Sequence, residues 1–168
     1  MRTIAIAVCF TVAATAALAA DEFPKLKPGL WETTTSTARG AGKAPAASTL
    51  CLDDSVQKEM YKMSMGMMSN MCSKYDLKNA GGKMTSDMVC DLGGTKMQSK
   101  SVMTFTGNTA YHTEAHATFD PPMGGMKEST TIIEGKYVGP CKPGQQPGDM
   151  TLPNGTKMNI RQMMGSKG

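Results

Sequence analysis

The chain has 168 residues, with 18 Lys and Arg against 14 Asp and Glu, 17 Met and only one Trp. This length suits one domain, and the small positive charge without dense basic runs argues against a nucleic-acid binder. From Asp21 onward, Leu, Ile, Val and Phe make up only about 11% of the residues, which disfavours a large enzyme core and a membrane-embedded protein.

The first twenty residues have the pattern of a secretory signal. Met1-Arg2 is a short positive start, the segment from Ile4 to Leu18 is apolar, and Ala17-Leu18-Ala19 suits cleavage. The apolar run is short and rich in Ala, so an uncleaved membrane anchor is the weaker alternative. We therefore predict a signal peptide at 1–20, a periplasmic address and no membrane span after cleavage.

The mature chain reads as short strands with one helix. β-branched and aromatic residues predict a first strand at Leu30–Thr37 and a second at Ser48–Leu52. Asp54 to Gln57 resembles a capping box, which begins a helix that runs to about Asn70. Alternating segments between glycines predict further strands near residues 73–79, 84–91, 95–106, 109–119 and 128–138.

The turn residues between these segments indicate consecutive hairpins. Gly81-Gly82 and Gly107-Asn108 suit two-residue turns, and no strand is expected to continue through Pro121 to Gly125. We predict a mainly β domain at 21–141, an antiparallel meander forming a partly open barrel or sandwich with one short amphipathic helix packed on it. Residues 142–168 are predicted to be a mobile Met-, Pro- and Gly-rich tail with at most one weak hairpin.

Four cysteines remain once Cys9 leaves with the signal: Cys51, Cys72, Cys90 and Cys141. An even number in a small exported chain predicts two disulfides, with three pairings open. A two-residue turn at Gly81-Gly82 places Cys90 opposite Ser73 and turns Cys72 to the other face. That register favours Cys51 with Cys72 and Cys90 with Cys141.

Several short motifs together resemble a known family. They are Pro28-Gly29-Leu30-Trp31-Glu32, Cys51-Leu52 before a helix, Cys72 leading into Tyr75-Asp76-Leu77, Cys90 closing a strand, and Gly139-Pro140-Cys141. This order is similar to the bacterial exported proteins of domain-of-unknown-function family 3617, over about residues 28 to 141. The resemblance implies a β-rich fold and a periplasmic address, and it supplies no catalytic residues.

Methionine is concentrated in the predicted helix. Val56, Met60, Met63, Met67 and Met71 recur at helical steps and form one stripe. The stripe has two interpretations. Met fills the core in a chain poor in Leu and Ile, or the thioethers bind a soft ion such as Cu(I) or Ag(I). We favour packing.

His112, Glu114 and His116 alternate along one strand and therefore share a face. The predicted register places Met103 opposite His112, which would suit a mixed Met and His copper site. The favoured interpretation is a solvated polar face, with Tyr111 turned inward. Trp31 is expected to anchor the core.

No catalytic motif occurs in the sequence: there is no nucleophile elbow, phosphate loop or dinucleotide fingerprint. We therefore predict no enzyme activity and no cofactor, and expect a periplasmic module that binds a small apolar ligand or a protein partner. The alternative is a soft-metal sequestration protein. Its predicted ligands are Met60, Met63, Met67, Met71, Met103 and His112.

Overall fold

The computed structural model describes residues 23–38 and 46–165, so the predicted signal peptide at 1–20 lies outside the described residues. All seven predicted strands and the predicted helix form within one or a few residues of their expected bounds. The elements are β1 (Gly29–Thr37), β2 (Ala46–Leu52), α1 (Asp54–Met71), β3 (Cys72–Ala80), β4 (Lys83–Asp91), β5 (Lys96–Thr106), β6 (Ala110–Met123), β7 (Met126–Gly139), β8 (Asp149–Thr151), β9 (Lys157–Asn159) and α2 (Ile160–Gly165).

The strands form one antiparallel sheet that does not close. Its order is β3-β4-β5-β6-β7-β1-β2-β8-β9, so β3 and β9 are the two edges. Strands β3 to β7 are a meander of successive hairpins, and β7 returns to pair with β1. The prediction of a mainly β chain with a partly open antiparallel sheet is confirmed. Among the described residues, no helix combines the length and apolar character needed to cross a membrane.

The register of β5 against β6 differs from the prediction by one residue. Thr106 pairs with Ala110, so three residues form the turn where two were expected. His112 consequently pairs with Thr104, and Met103 pairs with Thr113. Because a one-residue shift moves a side chain to the other face, the predicted Met103 and His112 pair is wrong: Met103 faces inward and His112 faces solvent.

Strand β6 also continues further than the sequence predicts. It reaches Met123, which pairs with Met126 around the Gly124-Gly125 turn. The pairing of β6 with β7 is interrupted between Thr118 and Met123. This segment contains Pro121 and Pro122. Proline cannot donate to a ladder, so a strand tolerates it where regular pairing is absent.

The two disulfides join Cys51 to Cys141 and Cys72 to Cys90, so the favoured pairing was wrong. The predicted register of the β3–β4 hairpin is correct in its centre, where Tyr75 pairs with Met88. A bulge between Cys72 and Lys74 then adds one residue to β3 and brings Cys72 opposite Cys90. Sequence spacing alone could not place that bulge.

The buried core lies beside the start of α1. It consists of Trp31, Leu52, Val56 and Ile160. The prediction that Trp31 anchors the core is confirmed, since only 2% of the residue is exposed. Ile160 follows the single hairpin formed by the segment after Cys141, and that hairpin extends the sheet from β2. The described part of this segment therefore packs on the domain, and the prediction of a mobile tail is wrong for it.

Candidate functional site

A partly open cavity of about 280 Å³ lies between the N-terminal half of α1 and the inner face of the sheet. The described residues around it are mostly aromatic or aliphatic, and none carries a charge. They are Phe23, Leu26, Trp31, Thr33, Leu50, Leu52, Gln57, Met60, Tyr61, Ser64, Met103, Phe105 and Tyr111. This composition is typical of a site for a small apolar molecule.

Curvature of the sheet creates this cavity. Leu50 on β2 and Met103 on β5 are four strands apart in the sheet order. A flat sheet would separate such strands by roughly 19 Å, yet both side chains line the same small cavity. The sheet therefore curls around α1, and the helix fills only part of the space inside it.

Trp31 and Tyr111 form the aromatic wall of the cavity. Their rings stack with centroids 5.8 Å apart, and the Tyr111 hydroxyl lies 3.3 Å from Thr33 Oγ1. Tyr111 reaches this position because Gly135, its partner across the β6–β7 pair, has no side chain. A Cβ atom at Gly135 would collide with the Tyr111 ring.

The start of α1 is fixed by Asp53, one residue earlier than the predicted capping box. The Asp53 carboxylate accepts hydrogen bonds from the Val56 amide at 2.7 Å and from the Ser55 hydroxyl at 2.8 Å. Burial opposes ionisation of Asp53, but these bonds and the charge of Arg161 lower the pKa of the carboxyl below its ordinary value. The cap therefore carries a negative charge at neutral pH, at the helix end that favours it.

Two further contacts hold the first turns of α1 over the sheet. The Gln57 side chain donates to the Leu26 carbonyl and accepts from the Leu26 amide, both at 2.9 Å. Arg161, which follows the core residue Ile160, pairs with Glu59 at 2.9 Å and with the Ser55 hydroxyl. The chain before β1 and the chain after β9 are thus both tied to the same half of the helix.

Most of the cavity and core residues lie within the segment that a family comparison covers, and Phe23 and Ile160 lie outside it. The model of the family described as protein of unknown function DUF3617 matches residues 26–141. The chain belongs to this family. No curated protein matches it. The family match supports the resemblance seen in the Pro28-to-Glu32 motif and the four cysteines, and it assigns no activity.

In this DUF3617 chain the predicted methionine ligands are divided between two places. Met60 and Met103 line the cavity. Met63, Met67 and Met71 are 42%, 51% and 39% exposed, so core packing does not account for these three side chains. Met65 and Met68, which the predicted stripe leaves out, are half-buried. The C-terminal half of α1 therefore turns a different side toward the sheet than the stripe indicates.

The polar strand face is solvated, as the favoured interpretation predicts. His112, Glu114 and His116 are exposed. His112 Nδ1 lies 3.4 Å from Glu134 Oε1, and His116 Nδ1 lies 3.3 Å from Thr130 Oγ1. In the part of the chain that the structure describes, no three His, Cys, Asp or Glu side chains converge as metal ligands.

Sequence reasoning missed several residues of the DUF3617 cavity. Thr33 alternates with Trp31 on β1, so strand periodicity could have placed it on the same face. Phe105 lies opposite Tyr111 only when the β5–β6 turn has three residues. Nothing in the sequence signals the Gln57 bond to Leu26, which joins residues 31 positions apart.

Proposed function

We propose that this DUF3617 chain is an exported, non-catalytic module that binds a small apolar ligand between α1 and the curved sheet. One observation carries the proposal: the cavity of about 280 Å³ is walled by aromatic and aliphatic side chains in a chain that has few of them. Five of its lining residues are aromatic, although the whole chain has only one Trp, four Tyr and four Phe. Apolar surface that a protein leaves in a cleft is typical of a binding site.

The proposed location is the periplasm. The sequence supports this with the signal-like segment at 1–20, and the structure supports it with two disulfides. Disulfides persist in oxidising compartments and are rare in the cytosol. Expression with and without residues 1–20, followed by fractionation of the periplasm, tests this part of the proposal directly.

Binding can be measured through Trp31, which is the only tryptophan and lines the cavity. We expect the neutral dye N-phenyl-1-naphthylamine to place its naphthalene rings in the cavity and its phenyl ring at the open side. It should bind in a 1:1 ratio, gain fluorescence and receive energy from Trp31. The Met103→Glu variant places a charge in the cavity and should abolish dye binding, because burying an unpaired carboxylate is costly.

Met97→Glu is the matched control. Met97 is half-buried on the same face of β5 as Met103 but does not line the cavity. It should retain dye binding, and circular dichroism should show that both variants are folded. Dye that fails to bind the wild-type protein, or binds the two variants equally well, would contradict a site in this cavity.

The exposed methionines favour a second candidate function, binding of a soft monovalent metal ion. Met63, Met67 and Met71 follow each other at intervals of four residues, so their side chains occupy neighbouring positions on one face of α1. Thioethers are soft neutral ligands that suit Cu(I) and Ag(I). Met60 and Met103 line the cavity and His112 is exposed on β6, so we restrict the proposed ligand set to the three exposed methionines.

Silver(I) tests this candidate without a reductant, so both disulfides stay intact. In chloride-free buffer, calorimetry should show stoichiometric Ag(I) binding by the wild type and its loss in the triple variant Met63→Leu, Met67→Leu, Met71→Leu. The double variant Met60→Leu, Met103→Leu is the control and should bind Ag(I) as the wild type does. Binding that survives in the triple variant would exclude this site.

A further inference from the structure

The polar groups around the cavity differ in whether they can receive a ligand. Both ends of the Gln57 amide are bonded to the Leu26 backbone, and Trp31 Nε1 donates to the Lys27 carbonyl at 2.8 Å. These groups are therefore satisfied within the protein. Ser64, which is exposed, and Tyr61, which is half-buried, line the cavity from α1, and each presents a single hydroxyl from the helix side.

Tyr111 and Thr33 are different, because their hydroxyls face each other on the floor of the cavity. Two hydroxyls carry two O–H donors, and the 3.3 Å bond between them uses only one. Among the described residues neither hydroxyl has a second hydrogen-bond partner. The pair thus presents one donor, with acceptor lone pairs beside it, on an otherwise apolar wall.

The charge and the volume of the site restrict the ligand further. No lining residue within the described ranges is ionisable at neutral pH, and an ion that enters such a site loses its hydration without a partner. A cavity of about 150 Å³ accepts one benzene molecule. The volume of about 280 Å³ therefore suits a molecule of roughly two fused or linked rings.

We propose that the cavity binds a neutral molecule of about two rings that carries one oxygen function, a hydroxyl or carbonyl, and that the Tyr111 and Thr33 hydroxyls bind this oxygen. The inference rests on the proposed ligand-binding function and adds the chemical class of the ligand. Aromatic side chains on several sides of the cavity favour a flat molecule, since stacked and edge-on ring contacts add to the burial of apolar surface.

Three probes that share the naphthalene ring system and differ in polarity test the inference: naphthalene, 2-naphthol and 2-naphthoate, each titrated by calorimetry. One net hydrogen bond should make 2-naphthol bind about three- to tenfold more tightly than naphthalene. The 2-naphthoate anion should not bind measurably. Equal affinities for naphthalene and 2-naphthol, or tight binding of the anion, would overturn the inference.

Two conservative variants locate the bond. Tyr111→Phe and Thr33→Val each keep the shape of the side chain, and together they should remove the advantage of 2-naphthol while naphthalene binding persists. Tyr137→Phe is the control, because Tyr137 also contacts Trp31 but does not line the cavity. A protein that binds N-phenyl-1-naphthylamine but does not distinguish the naphthalene probes refutes only this inference. Failure to bind any of them refutes the proposed function as well.

Discussion

The two halves of α1 differ in what they contact, although both carry methionine at helical spacing. In the first half, Val56 is completely buried and Met60 packs against the core that contains Trp31. In the second half, Met63 and Met67 are about half-exposed. The difference follows from the surroundings of the helix: the core and the C-terminal segment pack against its first half, whereas its end runs directly into β3.

The comparison shows that a regular apolar stripe does not define the buried face of a helix by itself. A stripe is buried only along the length over which another element covers it. The disulfides bracket both ends, since Cys51 lies just before α1 and Cys72 follows it directly. The two disulfides close loops of different length, and their removal should have the largest effects on stability.

Removing the disulfide near the start of α1 should destabilise the domain more than removing the one at its end. Cys51 and Cys141 are 90 residues apart, and Cys72 and Cys90 are 18 apart. Loop-closure entropy then predicts losses of about 4 to 5 kcal/mol and about 3 kcal/mol in the free energy of unfolding. Urea unfolding of Cys51→Ala with Cys141→Ala, and of Cys72→Ala with Cys90→Ala, measures both losses.

A larger loss of stability in Cys72→Ala with Cys90→Ala than in Cys51→Ala with Cys141→Ala would contradict this prediction. Each variant keeps one disulfide. Each therefore controls for the effects that handling and oxidation have on the other variant. Mass spectrometry without reduction should show the remaining bridge in both proteins. It would also show whether the hairpin bridge between Cys72 and Cys90 forms independently of the bridge from β2.

Truncation of single side chains in the two halves of α1 should have smaller effects, and these effects should also be unequal. Val56→Ala removes apolar atoms from a completely buried site and should lower the free energy of unfolding by about 2 kcal/mol. Met67→Ala removes more atoms from a side chain that is 51% exposed, and it should change stability by less than about 0.5 kcal/mol. Thermal or urea unfolding distinguishes these values. A large loss in Met67→Ala would mean that the second half of α1 is covered after all.

Local sequence patterns predicted most of the fold. Strand alternation and turn residues located seven strands and α1 because these signals act within a few residues. Two of the errors arose where one inserted residue changed a register. Because of the bulge at Ser73, Cys72 pairs with Cys90 instead of with Cys51. Because Thr109 is a third turn residue, Met103 and His112 lie on opposite faces of the sheet.

The cavity was less accessible to sequence reasoning than the fold was. A curved sheet with an apolar interior could be expected from the open meander, and Tyr111 was placed inward correctly. The positions of Thr33 and Phe105 beside Tyr111 depend on how β1, β5 and β6 align. Gly135 leaves space for the Tyr111 ring only because the ring lies across it. Such contacts join distant parts of the chain, and periodicity within one segment contains no information about them.

The smallest expected effect concerns charge at the start of α1. Asp53→Ala removes the cap and should cost about 1 kcal/mol of stability. Asp53→Asn keeps a capping oxygen and removes only the charge, so its cost at neutral pH should be a few tenths of a kcal/mol, because solvent screens this half-exposed group. The last turn of α1 has no basic residue, so no equivalent charge acts at the other end.

The stabilisation by the Asp53 charge should depend on pH. The folded pKa of Asp53 lies below its ordinary value, so its ionised form stabilises the fold above the unfolded pKa of about 3.9. That contribution is lost as the pH falls through the folded pKa. The difference in unfolding free energy between wild type and Asp53→Asn should therefore be constant near neutrality and shrink in acid. A difference that persists unchanged in acid would show that the asparagine alters the cap geometry, because removal of a charge affects stability only where that charge exists.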